Sequence, residues 1–284
     1  MRWRGGRRST NVADRRGRRV AVGGGIATVI VAVVAMLFGV DLGDVGLDPE
    51  AGAYPPAARP GELPDAVPLA DDTLAQMVSV VLADTEDTWN EIFAAAGADY
   101  REPTLELFSG VAQSACGYAQ AAVGPFYCPL DETVFIDLSF YRELRDRLGA
   151  PGDFAQAYVI AHEVGHHVQT LLGITERTTA ARQRAGSEEA NAISVRQELQ
   201  ADCLAGVWAH HARTSRNVQL EPGDIEEGMG AAAAIGDDRL QRRSQGYVVP
   251  ETFTHGSSEE RVHWFRRGHE RGDMADCDTF GSNG

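Results

Sequence analysis

Two histidines one helical turn apart constrain the fold of this chain more than any other feature. The pattern H-E-x-x-H occurs at His162, Glu163 and His166. On an α-helix, residues four apart lie on one face, so both imidazoles can bind the same ion. Glu163 follows the first histidine, where it can accept a proton from a water at that ion. The pattern therefore requires a helix here and predicts a metal site on it.

The residues around this pattern predict a well-bounded helix over Phe154–Leu172. Asp153 and Gln156 form a D-x-x-Q capping box before it, and Gly173 can end it in the left-handed conformation. Most of the residues between are apolar, so part of the helix must face the core. Because charged side chains in such a helix need a partner, the pattern favours a metal site over two histidines on a solvent-exposed face.

A second segment supplies the ligand that H-E-x-x-H lacks. A catalytic zinc ion usually has three protein ligands, and we predict Glu198 as the third, with Glu189 as the alternative acid. Asp202 lies one turn beyond Glu198 and should hydrogen-bond the distal nitrogen of a ligand histidine. Both acids lie in an apolar segment that we expect to form a helix beginning at Ser187.

The N-terminal residues predict a membrane topology. Residues 1–19 carry eight arginines and one aspartate, and Val20–Val40 is an uncharged run of 21 residues, long enough to span a bilayer. Acidic residues follow this run, so the positive-inside rule places residues 1–19 in the cytoplasm and the rest outside the cell membrane, held by a single span. A cleaved signal peptide and a twin-arginine export signal are the alternatives, but the length of the run favours an uncleaved anchor.

Composition divides the remainder of the chain. Residues 41–70 are rich in Gly, Pro, Asp and Ala and are predicted to form a linker, which leaves residues 71–284 as the extracytoplasmic domain. The formal net charge is −15, and residues 1–19 contribute +7 (eight Arg, one Asp), so the other residues carry −22. A domain so acidic should repel nucleic acid, which excludes it as a partner.

The four cysteines fit an oxidising compartment. An even number of cysteines outside the cytoplasm predicts two disulfides, for which three pairings are possible. We favour Cys116–Cys128 and Cys203–Cys277, and the alternative for Cys203 is a buried thiol on its apolar helix. A cysteine zinc site is not expected, because no pair has C-x-x-C spacing.

The outer domain is predicted to be α+β, mostly helical with a small sheet. A helix is expected over Thr73–Ala96, and strands over Thr104–Ala112 and Phe126–Leu138. A capping box at Ser257 should begin the last helix, and Gly268 should end it.

Four strings resemble the neutral zinc metallopeptidase family of bacteria: AHEVGHHVQ, ELQADCLAGVWA, FTHGSSEERVHWFRRG and, at the N-terminus, MRWRGGRRSTNVADRRG. The resemblance covers nearly the whole chain except the predicted linker. It implies a membrane-anchored, zincin-like domain that binds Zn²⁺ through His162, His166 and Glu198. In zincin-type peptidases, a small sheet precedes the H-E-x-x-H helix, and its edge strand pairs with the substrate peptide.

These observations predict a zinc-dependent peptidase that hydrolyses extracytoplasmic proteins or peptides. Glu163 is expected to act as general base. His255, in a turn before a helix, is a candidate catalytic donor to the tetrahedral oxyanion or else a turn residue, and Tyr247 is the other candidate donor. His167 is predicted to be structural. A non-catalytic membrane-anchored adaptor with a structural zinc site and a cell-wall peptide hydrolase are the alternatives, but Glu163 favours an enzyme, because a structural site needs no proton acceptor.

Overall fold

The computed structural model describes residues 1–17, 72–121, 124–215 and 217–281, which contain eight α-helices and six short strands. The strands are β1 (Val12–Asp14), β2 (Thr104–Phe108), β3 (Val111–Ser114), β4 (Gly117–Gln120), β5 (Phe126–Cys128) and β6 (Thr133–Asp137). The helices are α1 (Thr73–Ala95), α2 (Ser139–Asp146), α3 (Asp153–Leu171), α4 (Ile174–Arg182), α5 (Ser187–Ala212), α6 (Asp224–Ala234), α7 (Asp237–Gln245) and α8 (Ser258–Arg271). Two 3₁₀ turns, Pro250–Thr252 and Met274–Cys277, complete the elements. The mostly helical α+β class predicted from the sequence agrees with these elements.

The main sheet has four strands in the order β1-β2-β6-β5. Strands β1, β2 and β6 run parallel, and β5 runs antiparallel to β6 at one edge. Strands β3 and β4 form a separate hairpin. The single strand predicted over Phe126–Leu138 is instead the hairpin of β5 and β6, because the chain reverses near Glu132, which has a φ of 51°. The strand predicted over Thr104–Ala112 likewise ends at Phe108, before Gly110 turns the chain with a φ of 77°.

Helix α3, which carries the H-E-x-x-H pattern, packs against α1, α5 and α6 and contacts β5. Its N-terminus is held differently from the prediction. Asp153 makes no capping box; instead, Glu227 on α6 accepts a hydrogen bond of 3.1 Å from the backbone N–H of Phe154. Its C-terminus agrees with the prediction, since Gly173 follows the helix with a φ of 69°.

Helices α5 and α8 lie in close contact because each has a glycine at their crossing. A Cβ atom at Gly268 would collide with the carbonyl oxygen of Cys203, and one at Gly206 would collide with that of Phe265. The prediction that Gly268 ends the last helix is therefore wrong: α8 continues to Arg271, and Gly272 ends it with a φ of 69°. The capping box predicted at the start of α8 is present, with Ser257 as N-cap.

Both favoured disulfides are present. Cys116–Cys128 joins the turn between β3 and β4 to the end of β5, and Cys203–Cys277 joins α5 to the 3₁₀ turn after α8. The alternative of a buried free thiol at Cys203 is thereby wrong.

Residues 1–16 belong to the same compact unit as the described chain from residue 72 onward, whereas residues 1–19 are predicted from the sequence to form a cytoplasmic tail. Strand β1 pairs in parallel with β2 inside the main sheet. The buried carboxylate of Glu86, which is 1 % exposed, bonds Arg7, Ser9 and Asn11. Strand pairing and hydrogen bonds of this kind require residues 1–16 and α1 to lie on the same side of any membrane.

The predicted fold class included a transmembrane helix, and this part of the prediction is corrected. The predicted span, Val20–Val40, and the predicted linker, residues 41–70, lie outside the described residues. Among the helices of residues 1–17, 72–121, 124–215 and 217–281, none is long and apolar enough to cross a bilayer. The residues that the structure describes form an α+β fold.

Replacing Ser9 with alanine should lower the free energy of unfolding by about 1–3 kcal/mol, because it removes a hydrogen bond from the buried Glu86 carboxylate. Urea unfolding of the full chain measures this change. Thr10→Ala is the matched control, since Thr10 is exposed, and it should change stability by less than about 0.5 kcal/mol. Equal stabilities of the Ser9→Ala protein and the wild type would contradict the packing of residues 1–16 on α1.

Candidate metal centre

The structure brings together the three side chains predicted to hold a metal ion. His162 and His166 extend from α3 toward Glu198 on α5. The Nε2 atom of His162 lies 3.1 Å from Glu198 Oε2, and that of His166 lies 3.5 Å from Glu198 Oε1. One donor atom from each of the three lies within 4.8 Å of the others. Glu189, the alternative third ligand, is exposed near the start of α5 and does not belong to this group.

The helices approach closely where the ligands converge. Gly165, between the two histidines, faces Ala201 on α5, and a Cβ atom at Gly165 would lie 2.9 Å from the Ala201 carbonyl oxygen. A larger residue would push α3 and α5 apart and move Glu198 away from the histidines. Gly165 is the second variable position of H-E-x-x-H, and its small size sets the distance between α3 and α5.

A buried network orients His162. Its Nδ1 atom donates a hydrogen bond of 2.8 Å to Asp202 Oδ1, the role predicted for Asp202. Arg261 on α8 forms an ion pair with Asp202, with Nε 2.8 Å from Oδ2 and Nη2 3.0 Å from Oδ1. The hydroxyl of Tyr158 also donates to Asp202. Asp202 and Arg261 are 0 % and 2 % exposed, so each charge depends on the other for compensation.

A neutral side chain orients His166. Its Nδ1 atom lies 2.9 Å from Oε1 of Gln169, three residues further along α3. Since the Nδ1 atoms of both histidines are engaged, both present Nε2 toward Glu198. Two imidazole nitrogens and one carboxylate form the donor set of many catalytic zinc sites, which leave one position for water or substrate. The residues present therefore fit a zinc ion.

The charges of the cluster shift the pKa values of its members. Burial by itself would lower the pKa of His162, but the combined effect of Asp202 and Glu198 outweighs burial and raises this pKa to about 10. Burial raises the pKa of Glu198, yet the adjacent histidines hold it well below its usual range. For Asp202, burial also raises the pKa, and Arg261 and His162 lower it below its usual value. The carboxylates of this cluster are therefore ionised at neutral pH.

Glu163 lies beside the cluster but has a different environment. Its side chain is buried, with 7 % exposure, and burial raises its pKa against the opposing effect of His162 and His166. Burial, together with the charge of Glu163, also raises the pKa of the Tyr141 hydroxyl on α2. A carboxylate with a raised pKa accepts a proton more readily than an exposed one.

His255 lies near the cluster, in the turn that precedes α8. The carboxylate of Asp237 holds this turn by accepting the backbone N–H groups of Thr254, His255 and Gly256. Nδ1 of His255 lies 3.3 Å from Asp237 Oδ1, and the side chain is 53 % exposed. Loss of part of its hydration lowers the pKa of His255, but Asp237 and the nearby Glu198 raise it above its usual value. Gly256 packs against Val195 and Leu199 of α5, and Glu198 is the residue before Leu199.

The structure separates the remaining candidates from the cluster. Tyr247, the other predicted oxyanion donor, is exposed after α7. His167, predicted to be structural, is buried and lies 3.0 Å from the hydroxyl of Tyr127 on β5. A second group of acids, Asp153, Asp224 and Glu227, already has partners in the Met1 ammonium group and the Phe154 N–H.

Sequence reasoning missed Arg261 and Gln169. Arg261 is the fourth residue after the N-cap of α8, where an arginine is ordinarily solvent-exposed, so only its buried position reveals its role. Gln169 carries a usable signal, because it follows His166 by three residues and must share its helix face. A polar residue at that position on an apolar helix could have been predicted as its partner.

Comparisons with known proteins relate the chain to one protein family and to uncharacterized bacterial proteins. The family model described as "Putative neutral zinc metallopeptidase" matches residues 1–280. The uncharacterized protein YpfJ of Escherichia coli is 49 % identical over 295 residues, covering all of both chains. The uncharacterized protein Rv2575 of Mycobacterium tuberculosis is 46 % identical over 190 residues, which is 64 % of this chain and 63 % of that protein. No solved structure matches the chain.

The purified full chain should contain about one zinc ion per molecule, and His162→Ala or His166→Ala should abolish it, because two ligands cannot retain the ion against a chelator. Elemental analysis after dialysis measures the content. His263→Ala is the control, since His263 is exposed on α8 and should not affect zinc. Full zinc content in both ligand variants would contradict this assignment.

Arg261→Leu should lower the free energy of unfolding by about 3–5 kcal/mol, because the buried Asp202 carboxylate loses its cation. Chemical denaturation of the variant measures this. Arg266→Leu changes an exposed arginine on the same helix and should cost no more than about 0.5 kcal/mol. If the two variants were equally stable, the ion pair would not be what holds α8 on α5.

Proposed function

Because this chain belongs to the neutral zinc metallopeptidase family, we propose that it hydrolyses peptide bonds of proteins or peptides at the cluster of His162, His166 and Glu198. The observation that carries this proposal is the buried Glu163 beside three convergent metal donors. Zn²⁺ bound by these donors supplies Lewis acidity, which polarises a carbonyl and lowers the pKa of water toward neutrality.

Glu163 acts as the general base in this proposal. It accepts a proton from the attacking water and passes that proton to the amine as the peptide bond breaks. The raised pKa that burial causes suits both steps, since a more basic carboxylate takes the proton more readily and still releases it to an amine. A structural metal site has no use for such a buried acid, and this argues against a non-catalytic adaptor.

His255 stabilises the oxyanion. Its Nδ1 atom is engaged by Asp237, which leaves Nε2 as the ring nitrogen that can donate to a substrate oxygen. The backbone hydrogen bonds from the turn to Asp237 hold the ring in place before substrate binds. A donor fixed in advance stabilises developing charge at little reorganisation cost, which is the usual design of such sites. The raised pKa of His255 increases the fraction of rings that carry both protons.

An extended peptide segment is the substrate class that fits this fold. Strand β5 is the antiparallel edge of the main sheet, and within the described residues no strand pairs with its outer side. Its Tyr127 contacts His167, the neighbour of His166, so the edge runs beside the metal-binding end of α3. Backbone pairing with β5 would bind an extended segment with little demand on its sequence. Folded proteins would be cut in loops or tails.

The two disulfides favour an extracytoplasmic location for this peptidase. Disulfides persist in oxidising compartments and are rare in the reducing cytosol. Since residues 1–16 are part of the same compact unit as the metal centre, we place both on the extracytoplasmic side.

Glu163→Gln should retain zinc but lower hydrolysis by at least about 100-fold, because the amide keeps the shape of the side chain but cannot accept the proton. Zinc content and turnover of one cleaved peptide are measured on the same protein sample. Glu259→Gln, at an exposed position in the first turn of α8, is the control and should leave both unchanged. Full turnover by the Glu163→Gln protein would exclude Glu163 as the base.

The substrate is found by comparing the wild type with its Glu163→Gln variant. The wild-type full chain and its Glu163→Gln variant are incubated with an exported proteome, and the new N-termini are identified by mass spectrometry. Cuts made only by the wild type, concentrated in unfolded segments, are the expected result. If zinc is bound and no such cuts appear, the result contradicts the peptidase function and supports the adaptor function.

A further inference from the structure

The side chain that orients His166 is itself held by a chain of hydrogen bonds that reaches the C-terminal segment. Gln169 Nε2 lies 3.1 Å from Gln200 Oε1, and Gln200 Nε2 lies 2.9 Å from the carbonyl oxygen of Cys277. Gln169 Nε2 also lies 2.7 Å from the carbonyl oxygen of Gln197. Both glutamine side chains are buried, so water does not compete freely for these bonds.

Two backbone carbonyls determine the direction of this chain. A carbonyl oxygen only accepts, so Gln200 must turn its NH₂ group toward Cys277 and its oxygen toward Gln169. Gln169 must likewise turn its NH₂ group toward the Gln197 carbonyl, which leaves its oxygen facing His166. His166 is therefore obliged to donate from Nδ1, which leaves Nε2, 3.5 Å from Glu198 Oε1, as the nitrogen available to a metal ion. The tautomer of this ligand thus follows from groups on α5 and at the C-terminus.

The Cys203–Cys277 disulfide anchors the far end of the chain. It fixes Cys277 to α5 at the residue that follows Asp202, and both sulfur-bearing residues are buried. Thr279 adds a second connection, because its hydroxyl donates to the Arg196 carbonyl on α5. The carbonyl that Gln200 needs is consequently held at a fixed place beside the metal-binding part of α5.

We propose that Gln169 is a positioning residue for His166 and that Gln200 and the Cys203–Cys277 disulfide hold it in the orientation that zinc binding requires. This inference rests on the proposed zinc site. It assigns a function to the disulfide beyond joining two elements: the C-terminal 3₁₀ turn becomes part of the support of a metal ligand. Removal of any of these links should therefore weaken zinc binding. Removal of Gln169, the link nearest to His166, should weaken it most.

The test measures zinc affinity of full-length variants by competition with a chromogenic chelator. Gln169→Leu should weaken binding about 10- to 100-fold, because it leaves His166 without its acceptor. Gln200→Leu and the double variant Cys203→Ser/Cys277→Ser should weaken binding by smaller factors, since Gln169 stays in place but loses its support. Gln169→Glu should weaken binding less than Gln169→Leu, because a carboxylate still accepts from Nδ1 although it no longer donates to the Gln197 carbonyl. Gln183→Leu, at an exposed position after α4, is the matched control and should not change it.

A second measurement separates positioning from general stability. The ¹⁵N chemical shifts of His166 in zinc-free protein, recorded at a pH at which the ring is neutral, report which ring nitrogen carries the proton. The wild type should show the Nδ1–H tautomer, and Gln169→Leu should show a mixture, while the melting temperature identifies any variant that fails to fold. Unchanged tautomer and affinity in folded Gln169→Leu would overturn the inference, as would equal affinity losses for Gln169→Leu and Gln169→Glu. A wild type that binds no zinc would contradict the proposed function as well.

Discussion

The buried carboxylate of Asp202 is the charge on which the metal centre depends. It lies on α5, accepts a hydrogen bond from His162 on α3 and forms an ion pair with Arg261 on α8. A fully buried carboxylate is costly unless it is paired and hydrogen-bonded, so the three helices are stable together only where all of these groups meet. The glycines at the crossing of α5 and α8 bring the backbones close enough for Arg261 to reach it.

The two histidines are held by different chemistry, and electrostatics explains the difference. His162 donates to a carboxylate, which requires the buried arginine as counter-ion. His166 donates to the neutral amide of Gln169, which needs none. A second carboxylate beside His166 would add negative charge to a site that already contains Glu163 and Glu198. The amide of Gln169 fixes the ring without adding that charge. It must itself be held in orientation by buried hydrogen bonds that extend through Gln200 to the Cys277 carbonyl.

The N-terminal arginines have specific partners within the fold. A basic segment before an apolar run is the usual sign of a cytoplasmic tail, and this was the basis of the predicted topology. In the structure, these arginines make specific ion pairs: Arg7 with Glu86 and Asp87, Arg15 with Glu106, and Arg16 with Asp72. The positive charge thus balances acids on α1, at its N-cap and on β2. A count of charges cannot distinguish this role from a topology signal.

The sequence by itself determined the local features. H-E-x-x-H requires a helix with both histidines on one face, the third acid and its neighbour Asp202 share the period of a second helix, and Ser257 with Glu260 begins α8. These follow from spacings of three or four residues, which the helix fixes without distant contacts. Arg261, Gln200 and the pairing of β1 with β2 were decided by the tertiary structure alone. Arg261 pairs with Asp202 across 59 residues, Gln200 bonds Cys277 across 77 residues, and β1 pairs with β2 from the far end of the chain, so only the packing of the helices and the sheet could bring these groups together.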